Sequence, residues 1–296
     1  MTPIAGTKPE SKGPRRRATR AAWLLLTPLL VWLLLFVVIP SVALAFYSVA
    51  TYAGLGEVTW TPSFEAYQKA WDSVPRVALW RSVYLALGTT VLCVIIGYPV
   101  AYFIGRAPER WRNLMLMLVM IPFWTSFIIR IYAWIIILRN EGLLNGMLQS
   151  MNLISDPLSL FPSQTAVFIG MVYSFLPFMI LPIYGSVEKL DNALIEAAFD
   201  LGAGPVRAFQ RIIVPLTQPG IVAGILLVFI PAVGTYAVSD VLSGRRVELI
   251  GNLIETQFRG KGGNWPYGAA MGISLLVMFV IAFWLSSIFA KSQQEQ

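Results

Sequence analysis

The chain of 296 residues contains 22 Lys or Arg and 15 Asp or Glu, so charged residues make up 12% of it, about half the share of a soluble globular domain. Hydrophobic residues make up 57% of the chain and its mean hydropathy is +0.69; one core cannot bury that much apolar surface, which indicates a membrane protein rather than a soluble enzyme. With no histidine and one cysteine, Cys93, the sequence excludes an intrachain disulfide and argues against Cys or His metal sites and His-based acid–base chemistry.

The first predicted element is a basic cytoplasmic N-terminal tail, residues 1–20. It has too little apolar surface to fold, so we expect it to lie on anionic lipid. The net charge of +7 lies mostly in this tail and in short loops, which favours membrane lipid over nucleic acid as the partner. The alternative is a signal peptide cleaved near residues 43–45, but the apolar run that follows exceeds the roughly 7 to 15 residues of a signal h-region.

Six apolar stretches follow the tail, and each is long enough to cross a membrane. A helix needs about 20 residues to cross the hydrocarbon core, whereas a barrel strand needs about 10. The sequence therefore predicts an all-α integral membrane protein with six transmembrane helices in residues 21–290, followed by a cytoplasmic C-terminal tail, residues 291–296. The predicted spans are residues 21–46, 83–104, 114–138, 166–184, 221–238 and 269–290.

The distribution of Lys and Arg predicts how these spans are oriented. If the N-terminus is cytoplasmic, the inner side holds more Lys and Arg than the outer side. The positive-inside rule therefore favours an arrangement in which both termini are cytoplasmic.

One charge lies within a predicted span, Arg130 in the third. A charge at this depth either belongs to a transport path or is structural. We expect a structural role for Arg130, facing the bundle interior and bonded to carbonyl groups or to a carboxylate of another helix.

Prolines and small-residue motifs mark several predicted spans. Proline frees a backbone carbonyl, which is tolerated where that group faces protein or water; Pro99, Pro122, Pro177, Pro182 and Pro231 lie in or beside spans. The motifs formed by Gly220 with Gly224 and by Gly268 with Gly272 predict that the last two spans pack closely against neighbours, in this chain or in a partner.

The second predicted cytoplasmic loop, residues 187–220, is long for a connection. Asp191 is a suitable N-cap for a short helix that Gly202 ends, and Pro205 suits the start of a second helix that Pro215 should stop. The pattern predicts two short amphipathic helices that meet at an angle. Helices lying on the lipid surface would fit the same pattern.

The chain lacks the sequence features of an energy-coupling site. No glycine-rich loop ends in Gly-Lys-Ser or Gly-Lys-Thr, and residues 259–263 have the composition of such a loop without its spacing. The acidic residues cluster at span ends and in loops, whereas ion coupling usually needs them near mid-membrane. If transport uses ATP, another chain must bind the nucleotide.

The second cytoplasmic loop carries a family resemblance. Glu196, Ala197 and Ala198, followed by Gly202 and by Ile212 to Pro215, resemble the EAA loop of the membrane subunits of binding-protein-dependent ABC importers. Val214 replaces the usual leucine. The resemblance implies that Glu196, Ala197, Ala198, Gly202, Ile212 and Pro215 form the part of the loop that docks on an ATPase subunit.

Further segments are similar to the spermidine/putrescine permease branch of these importers, over roughly residues 24–286. They are residues 121–132, 176–184, 231–234, 249–252 and 264–266. This resemblance implies a type I ABC importer permease fold in a bacterial inner membrane. It also implies a non-enzymatic chain without a cofactor of its own, since the partner ATPase binds ATP and Mg. The implied partners are two ATP-binding subunits, a second homologous permease and an extracytoplasmic polyamine-binding protein.

A polyamine substrate would need carboxylates and aromatic faces along its path, because both attract cations. Tyr236 and Asp240 are four residues apart near the outer end of the fifth predicted span, and therefore on one helical face. We interpret them as a contact of the substrate pathway. The alternative is that Asp240 pairs with Arg245 or caps the helix.

Other functions fit parts of this pattern. Within the importer class, the solute could be a cationic amino-acid derivative or ferric iron. An ion-coupled secondary transporter or a channel would work without an ATPase, and a membrane scaffold would transport nothing.

Overall fold

The computed structural model describes residues 25–54, 56–259 and 262–294. For residue 282 and residues 285–294 it describes the backbone alone. The tail at residues 1–20, the start of the first predicted span and residues 295–296 lie outside this description. The described chain is almost entirely helical. The helices are α1 (Leu25–Ser48), α2 (Glu65–Ala70), α3 (Ser73–Arg106), α4 (Glu109–Trp124), α5 (Phe127–Leu138), α6 (Leu143–Ser150), α7 (Gln164–Val187), α8 (Asn192–Asp200), α9 (Pro205–Gly234), α10 (Ala237–Leu242), α11 (Ile250–Phe258) and α12 (Trp265–Gln294).

A short antiparallel hairpin follows α1. Strand β1 (Thr51–Gly54) pairs with β2 (Glu57–Thr59) in a register that places Tyr52 opposite Val58. The hydroxyl of Tyr52 donates a hydrogen bond to the carbonyl of Gly262, at 3.2 Å. This bond joins the hairpin to the segment that precedes α12.

Helices α3, α7 and α9 pack side by side and form the core of the bundle. Their facing side chains, among them Cys93, Met171, Met179 and Val228, are fully buried. Helix α1 packs mainly on α12, at the edge of the bundle. Most of the apolar side chains of α1 are exposed, as expected of a helix in lipid or against a partner chain.

Glycines allow α9 to approach α7 closely, as the sequence motif predicts. A Cβ atom at Gly220 would lie 2.5 Å from the carbonyl oxygen of Pro182, and one at Gly224 would lie 2.7 Å from the sulfur of Met179. On α12, a Cβ at Gly268 would lie 2.7 Å from the Cβ of Gln257 in α11, whereas Gly272 has only ordinary contact with α1. The motif of Gly220 and Gly224 therefore packs within this chain, against α7.

Hydrogen bonds in the core join helices that are distant in sequence. The hydroxyl of Tyr98 in α3 lies 2.9 Å from that of Thr217 in α9, which donates in turn to the carbonyl of Ile213 at 2.8 Å. The backbone N–H of Ile250, at the start of α11, donates to the buried hydroxyl of Ser82 in α3 at 2.9 Å. These bonds satisfy polar groups that would be costly to bury unpaired.

Four described helices, α1, α3, α7 and α9, are long and apolar enough to cross a membrane, and α4 with the segment after it would make a fifth. The predicted sixth span coincides with α12, whose described apolar part is Trp265–Ile281. The all-α membrane fold is confirmed. The number of six spans stays a prediction.

The third predicted span was expected to be one continuous helix over residues 114–138, and this is wrong. Glu109–Trp124 and the helical segment Phe127–Ser150 meet at 93°. Thr125 and Ser126 between them are extended, with ψ of 150° and 131°. The Thr125 hydroxyl donates to the carbonyl of Pro122 at 2.8 Å, a local bond that competes with helix continuation.

The fifth predicted span, residues 221–238, also differs from the structure. Helix α9 begins at Pro205 and ends at Gly234. Thr235 is extended and α10 starts at Ala237 as a separate short helix. Tyr236 and Asp240 therefore do not lie on a transmembrane helix.

Candidate functional site

The segment from α8 to the start of α9 is the candidate coupling loop. As predicted, Asp191 caps α8, and its carboxylate accepts a hydrogen bond from the N–H of Ala193 at 2.9 Å. Gly202 ends the helical turn with a φ of +79°, in the left-handed region that favours glycine. The N–H of Ala203 then donates to the carbonyl of Ala198 at 2.9 Å. This bond closes the end of the helix.

The expected interruption of the second loop helix at Pro215 is wrong. The helix that starts at Pro205 passes through a π-helical turn, Phe209–Ile213, and continues to Gly234. In that turn the N–H of Val214 donates to the carbonyl of Phe209, five residues back. The wider turn accommodates Pro215, which has no N–H to give to the ordinary helical pattern.

The coupling residues named from the resemblance divide into exposed and packed positions. Glu196, Ala197, Gly202 and Pro215 are exposed, Ile212 is half-buried and Ala198 is buried.

Around these positions the loop carries an apolar surface that no other described part of the chain covers. Leu201 is 89% exposed and Val206 67% exposed. Between the two loop helices lies a cavity of about 560 Å³, lined by Gly202, Gly204, Pro205, Val206, Arg207, Gln210 and Arg211. An exposed apolar patch beside a basic cavity is a suitable surface for another protein.

Aromatic contacts hold the second loop helix against the bundle. The ring of Phe209 packs edge-on against Tyr98, with 5.4 Å between centroids, and against Tyr102, at 6.4 Å. Both tyrosines belong to α3. The buried Ala208 and Ile213 lie on the same short segment. The loop is therefore anchored to the core at its second helix and exposed at its first.

Two arginines join the base of the loop to α3 and α4, and sequence reasoning missed both contacts. Arg106 donates a hydrogen bond through Nη1 to the side-chain oxygen of Asn192 at the start of α8. Arg112 Nη1 lies 3.2 Å from a carboxylate oxygen of Glu188. The sequence identified these arginines only as part of the positively charged side of the membrane. The available signal was that the first inner loop is basic and that the second inner loop starts with the acidic Glu188.

The structure brings Asp240 close to Arg245. The Nε atom of Arg245 lies 3.1 Å from a carboxylate oxygen of Asp240, which is the contact of the alternative interpretation. The N–H of Asp240 donates to the carbonyl of Tyr236 at 2.8 Å, so the two residues do lie one turn apart. Both are accessible at this end of the bundle, and the role in a substrate pathway stays a prediction.

Arg130 has different partners from those expected. Its guanidinium carbon lies 5.6 Å from the ring centroid of Phe123 and 5.7 Å from that of Phe127, on either side of the break between α4 and α5. Among the described residues it forms no ion pair, and its buried Nε has no hydrogen-bond partner. Aromatic faces, rather than carbonyls or a carboxylate, therefore surround this cation.

Comparisons with known proteins agree on the class of this chain. Residues 94–294 match the sequence model of the family described as binding-protein-dependent transport system inner membrane component. The chain is 42% identical over 250 residues to the spermidine/putrescine transport system permease protein PotB of Haemophilus influenzae, covering 84% of this chain and 87% of the relative. It is 41% identical over 259 residues to PotB of Escherichia coli, covering 86% and 94%.

A more distant sequence relative and two solved structures extend the match. The inner membrane ABC transporter permease protein YdcU of Escherichia coli is 32% identical over 222 residues, covering 70% of this chain and 69% of the relative. A crystal structure of a bacterial ABC transporter that imports the acidic polysaccharide alginate superposes with a TM-score of 0.64 at 18% identity, covering 94% of this chain and 98% of that one. A crystal structure of a bacterial alginate ABC transporter in complex with an alginate pentasaccharide-bound periplasmic protein gives a TM-score of 0.57 at 18% identity, covering 93% of this chain and 96% of that one. The structural match extends to the whole fold.

Proposed function

Because this chain belongs to the family of binding-protein-dependent transport system inner membrane components, we propose that it is the permease subunit of an ATP-driven importer for polyamines. It is a multi-pass inner membrane protein and a non-catalytic part of an ABC transporter complex. The observation that carries the polyamine substrate is the 42% identity, over 84% of this chain, to a spermidine/putrescine permease.

The coupling loop supports a separate ATPase as the source of energy. Its tip exposes Leu201 and Val206 beside the turn at Gly202, where an apolar groove of an ATPase would cover them. ATP and Mg then bind to two copies of that partner, and this chain contributes Glu196, Ala197, Ala198, Gly202, Ile212 and Pro215 to the contact. The chain itself needs no cofactor.

A second homologous permease and an extracytoplasmic binding protein complete the proposed complex. The exposed apolar faces of α1, α4 and α5 support a partner within the membrane. The crystallised alginate transporter in complex with its periplasmic protein supports delivery of the solute from outside. Both termini of this chain then face the cytoplasm, where the ATPases are.

The fold suggests how movement at the loop reaches the far side of the membrane. The second loop helix and the core helix are one continuous element, α9. When the ATPases close on ATP and draw the loops together, α9 moves as one body and opens the outer side to the binding protein.

At the outer end, Asp240 and Tyr236 are the proposed cation contacts. The carboxylate of Asp240 is held by the exposed Arg245, and an exposed ion pair is worth about 0 to 1 kcal/mol. A polycation exchanges for Arg245 at little cost, and the accessible ring of Tyr236 adds a cation–π attraction.

Transport by the purified complex in vesicles tests this proposal. We expect uptake of labelled spermidine or putrescine to require both ATP and the binding protein, and ferric iron and a cationic amino acid to be poor substrates. Uptake that persists without ATP in the presence of an ion gradient would favour a secondary transporter. A preference for iron or an amino acid would keep the importer class and reject the polyamine.

A further inference from the structure

An apolar groove lies where α3 ends and α4 begins, at the end of the bundle predicted to face the cytoplasm. Its volume is about 470 Å³, and it is lined by Phe103, Arg106, Ala107, Pro108, Trp111 and Met115. It faces outward from the bundle, since Phe103 and Trp111 are exposed. Aromatic side chains at this level are typical of the boundary between lipid and water. The groove is separate from the cavity between the coupling helices.

Arg106, which lines this groove, carries hydrogen-bond donors for which the described chain provides no acceptor. Its Nε and Nη2 atoms are buried and have no partner among the described residues. Arg106 Nη1 donates to the neutral side chain of Asn192, and the guanidinium lies 5.7 Å from the ring centroid of Tyr102. The neighbouring Arg112 differs, because Glu188 neutralises it. Arg106 is thus a positive charge at the edge of an apolar groove, and no described carboxylate forms an ion pair with it.

We propose that this groove binds an anionic phospholipid from the cytoplasmic leaflet, with the lipid phosphate on Arg106 and an acyl chain against Phe103, Trp111 and Met115. Buried donors without acceptors are costly, and phosphate oxygens accept two guanidinium hydrogen bonds side by side. The apolar lining selects a lipid over free phosphate, which offers nothing to cover it. The cytoplasmic leaflet supplies anionic headgroups at this level.

The bound lipid would also steady the coupling loop. The guanidinium that holds the phosphate through Nε and Nη2 donates through Nη1 to Asn192, the first residue of α8. A phosphate on one side of Arg106 fixes the orientation of the donor on the other side. The headgroup composition of the inner leaflet then influences how firmly the base of the loop is held, whatever the transported solute is.

Lipid retention by the full-length chain tests the site without reference to transport. The chain is purified from nanodiscs of phosphatidylcholine with added phosphatidylglycerol, and the lipid that stays bound is measured by native mass spectrometry. We expect wild type to keep phosphatidylglycerol in preference to phosphatidylcholine. Arg106→Gln should lower its retention about fivefold, the factor that corresponds to one basic side chain near an anionic leaflet.

Three variants separate the site from its surroundings. Arg110→Gln removes the same charge from an exposed position outside the groove lining and should keep the lipid. Asn192→Ala removes the other partner of Arg106 but leaves its charge, so it should lower retention less than Arg106→Gln does. Met115→Trp fills the groove at constant charge and should lose lipid as Arg106→Gln does. If Arg106→Gln fails to fold, Met115→Trp decides the question.

Several results would overturn the proposal. Equal lipid retention by Arg106→Gln and Arg110→Gln would show that Arg106 does not contact the lipid. Unchanged retention in Met115→Trp would show that the lipid does not lie in the groove. If phosphatidylcholine is retained to the same extent as phosphatidylglycerol, the charge of the headgroup plays no part in binding. Displacement of the lipid by millimolar inorganic phosphate would assign the site to a free anion instead.

Discussion

Gly202 has a φ of +79°, yet apart from its own residue and its two chain neighbours no described atom lies within 4 Å of the place where its Cβ would be. A side chain there meets no steric obstacle within the chain, but a left-handed backbone costs a residue with a Cβ roughly 1 to 2 kcal/mol. The requirement for glycine therefore arises from the turn and from whatever docks on it.

We predict that Gly202→Ala and Gly202→Asp uncouple the complex and leave membrane insertion intact, with Asp the more severe. Alanine strains the turn, and aspartate adds a charged group at the docking surface. Co-purification with the ATPase and substrate-stimulated ATP hydrolysis measure the effect. Gly204→Ala is the matched control, because Gly204 also has open space around it but a φ of −71°. Equal behaviour of the two alanine variants would show that the left-handed turn does not matter for coupling.

The ion pair of Asp240 with Arg245 gives a second prediction at this scale. If the carboxylate meets the substrate, Asp240→Asn should lower polyamine uptake several-fold, while Arg245→Ala should maintain or raise it, because a competing cation has been removed. Tyr236→Ala should lower uptake and Tyr236→Phe should not, since the ring face attracts the cation.

Uptake rates normalised to assembled complex measure these effects, with a double-mutant cycle for Asp240 and Arg245. Equal losses of uptake in the two single variants, with no further loss in the double variant, would show that Asp240 only pairs with Arg245 and does not contact the substrate.

Local chemistry explains which residue contacts the sequence could predict. The cap at Asp191 and the turn at Gly202 depend on residues a few positions apart, so residue type was sufficient. The hydrogen bond from Arg106 to Asn192 joins residues 86 positions apart and has no local signal. The position of Arg130 near the rings of Phe123 and Phe127 depends on the 93° bend between α4 and α5, which the apolar pattern does not reveal.

At the scale of elements, the packing of α9 on α7 depends on glycines that admit no side chain. A Cβ at Gly220 would meet the backbone carbonyl of Pro182 at 2.5 Å, and backbone cannot move aside as a side chain can. We predict that Gly220→Ala destabilises the chain by about 1 to 3 kcal/mol, the usual cost of overpacking. Thermal unfolding in detergent, followed by the loss of monodisperse protein, measures it.

Gly185 in α7 provides the opposite case. Outside the adjoining backbone of α7, no described atom lies within 4 Å of its Cβ position, so Gly185→Ala should stabilise the helix by up to about 1 kcal/mol. If the midpoint of thermal unfolding falls for both Gly220→Ala and Gly185→Ala, the bundle is sensitive to substitution in general. The close approach of α9 to α7 would then not explain the effect at Gly220.

Hydropathy predicted the apolar elements but not where they break. Thr125 and Ser126 are two polar residues in a long apolar run, too few to lower a windowed average, and they still turn the chain by 93°. Conversely, Pro215 is a usual helix stop, yet a π-helical turn carries α9 past it. Both differences arise from hydrogen bonding within one or two turns, which apolar periodicity does not report.

At the scale of the whole molecule, the topology yields a prediction that does not depend on the substrate. On a Cys93→Ser background, single cysteines within residues 57–72, 141–156 and 245–261 should react with an impermeant thiol reagent from outside. Cysteines within residues 191–211 should react only after permeabilisation. Cys93 is fully buried, so its removal leaves the surface unchanged.

Labelling of the α8 region from outside intact cells would reverse the orientation and separate the loop from any cytoplasmic ATPase. A cysteine at the exposed Trp124, beside the break, provides a further check. It should react poorly with water-soluble reagents if lipid or a partner covers the break.

The overall class was predictable because composition alone excludes a soluble fold, and the coupling loop has a recognisable pattern of residues. The way in which α3, α7 and α9 meet was not, since it depends on which glycines face which helix. Only Gly220 and Gly224 among the predicted small-residue motifs make the tight approach between core helices.

The continuity of α9 has a mechanical consequence. Its 30 residues form a rod about 45 Å long at the usual rise per residue. If the rod pivots near the cytoplasmic surface, a tilt of about 5° displaces its far end by roughly 4 Å, comparable to the width of an alkyl chain. A small rotation imposed on the loop is thereby magnified over the thickness of the bilayer. Pro219 and Pro231 each remove one backbone hydrogen bond from the rod, so bending at these two positions would reduce the leverage.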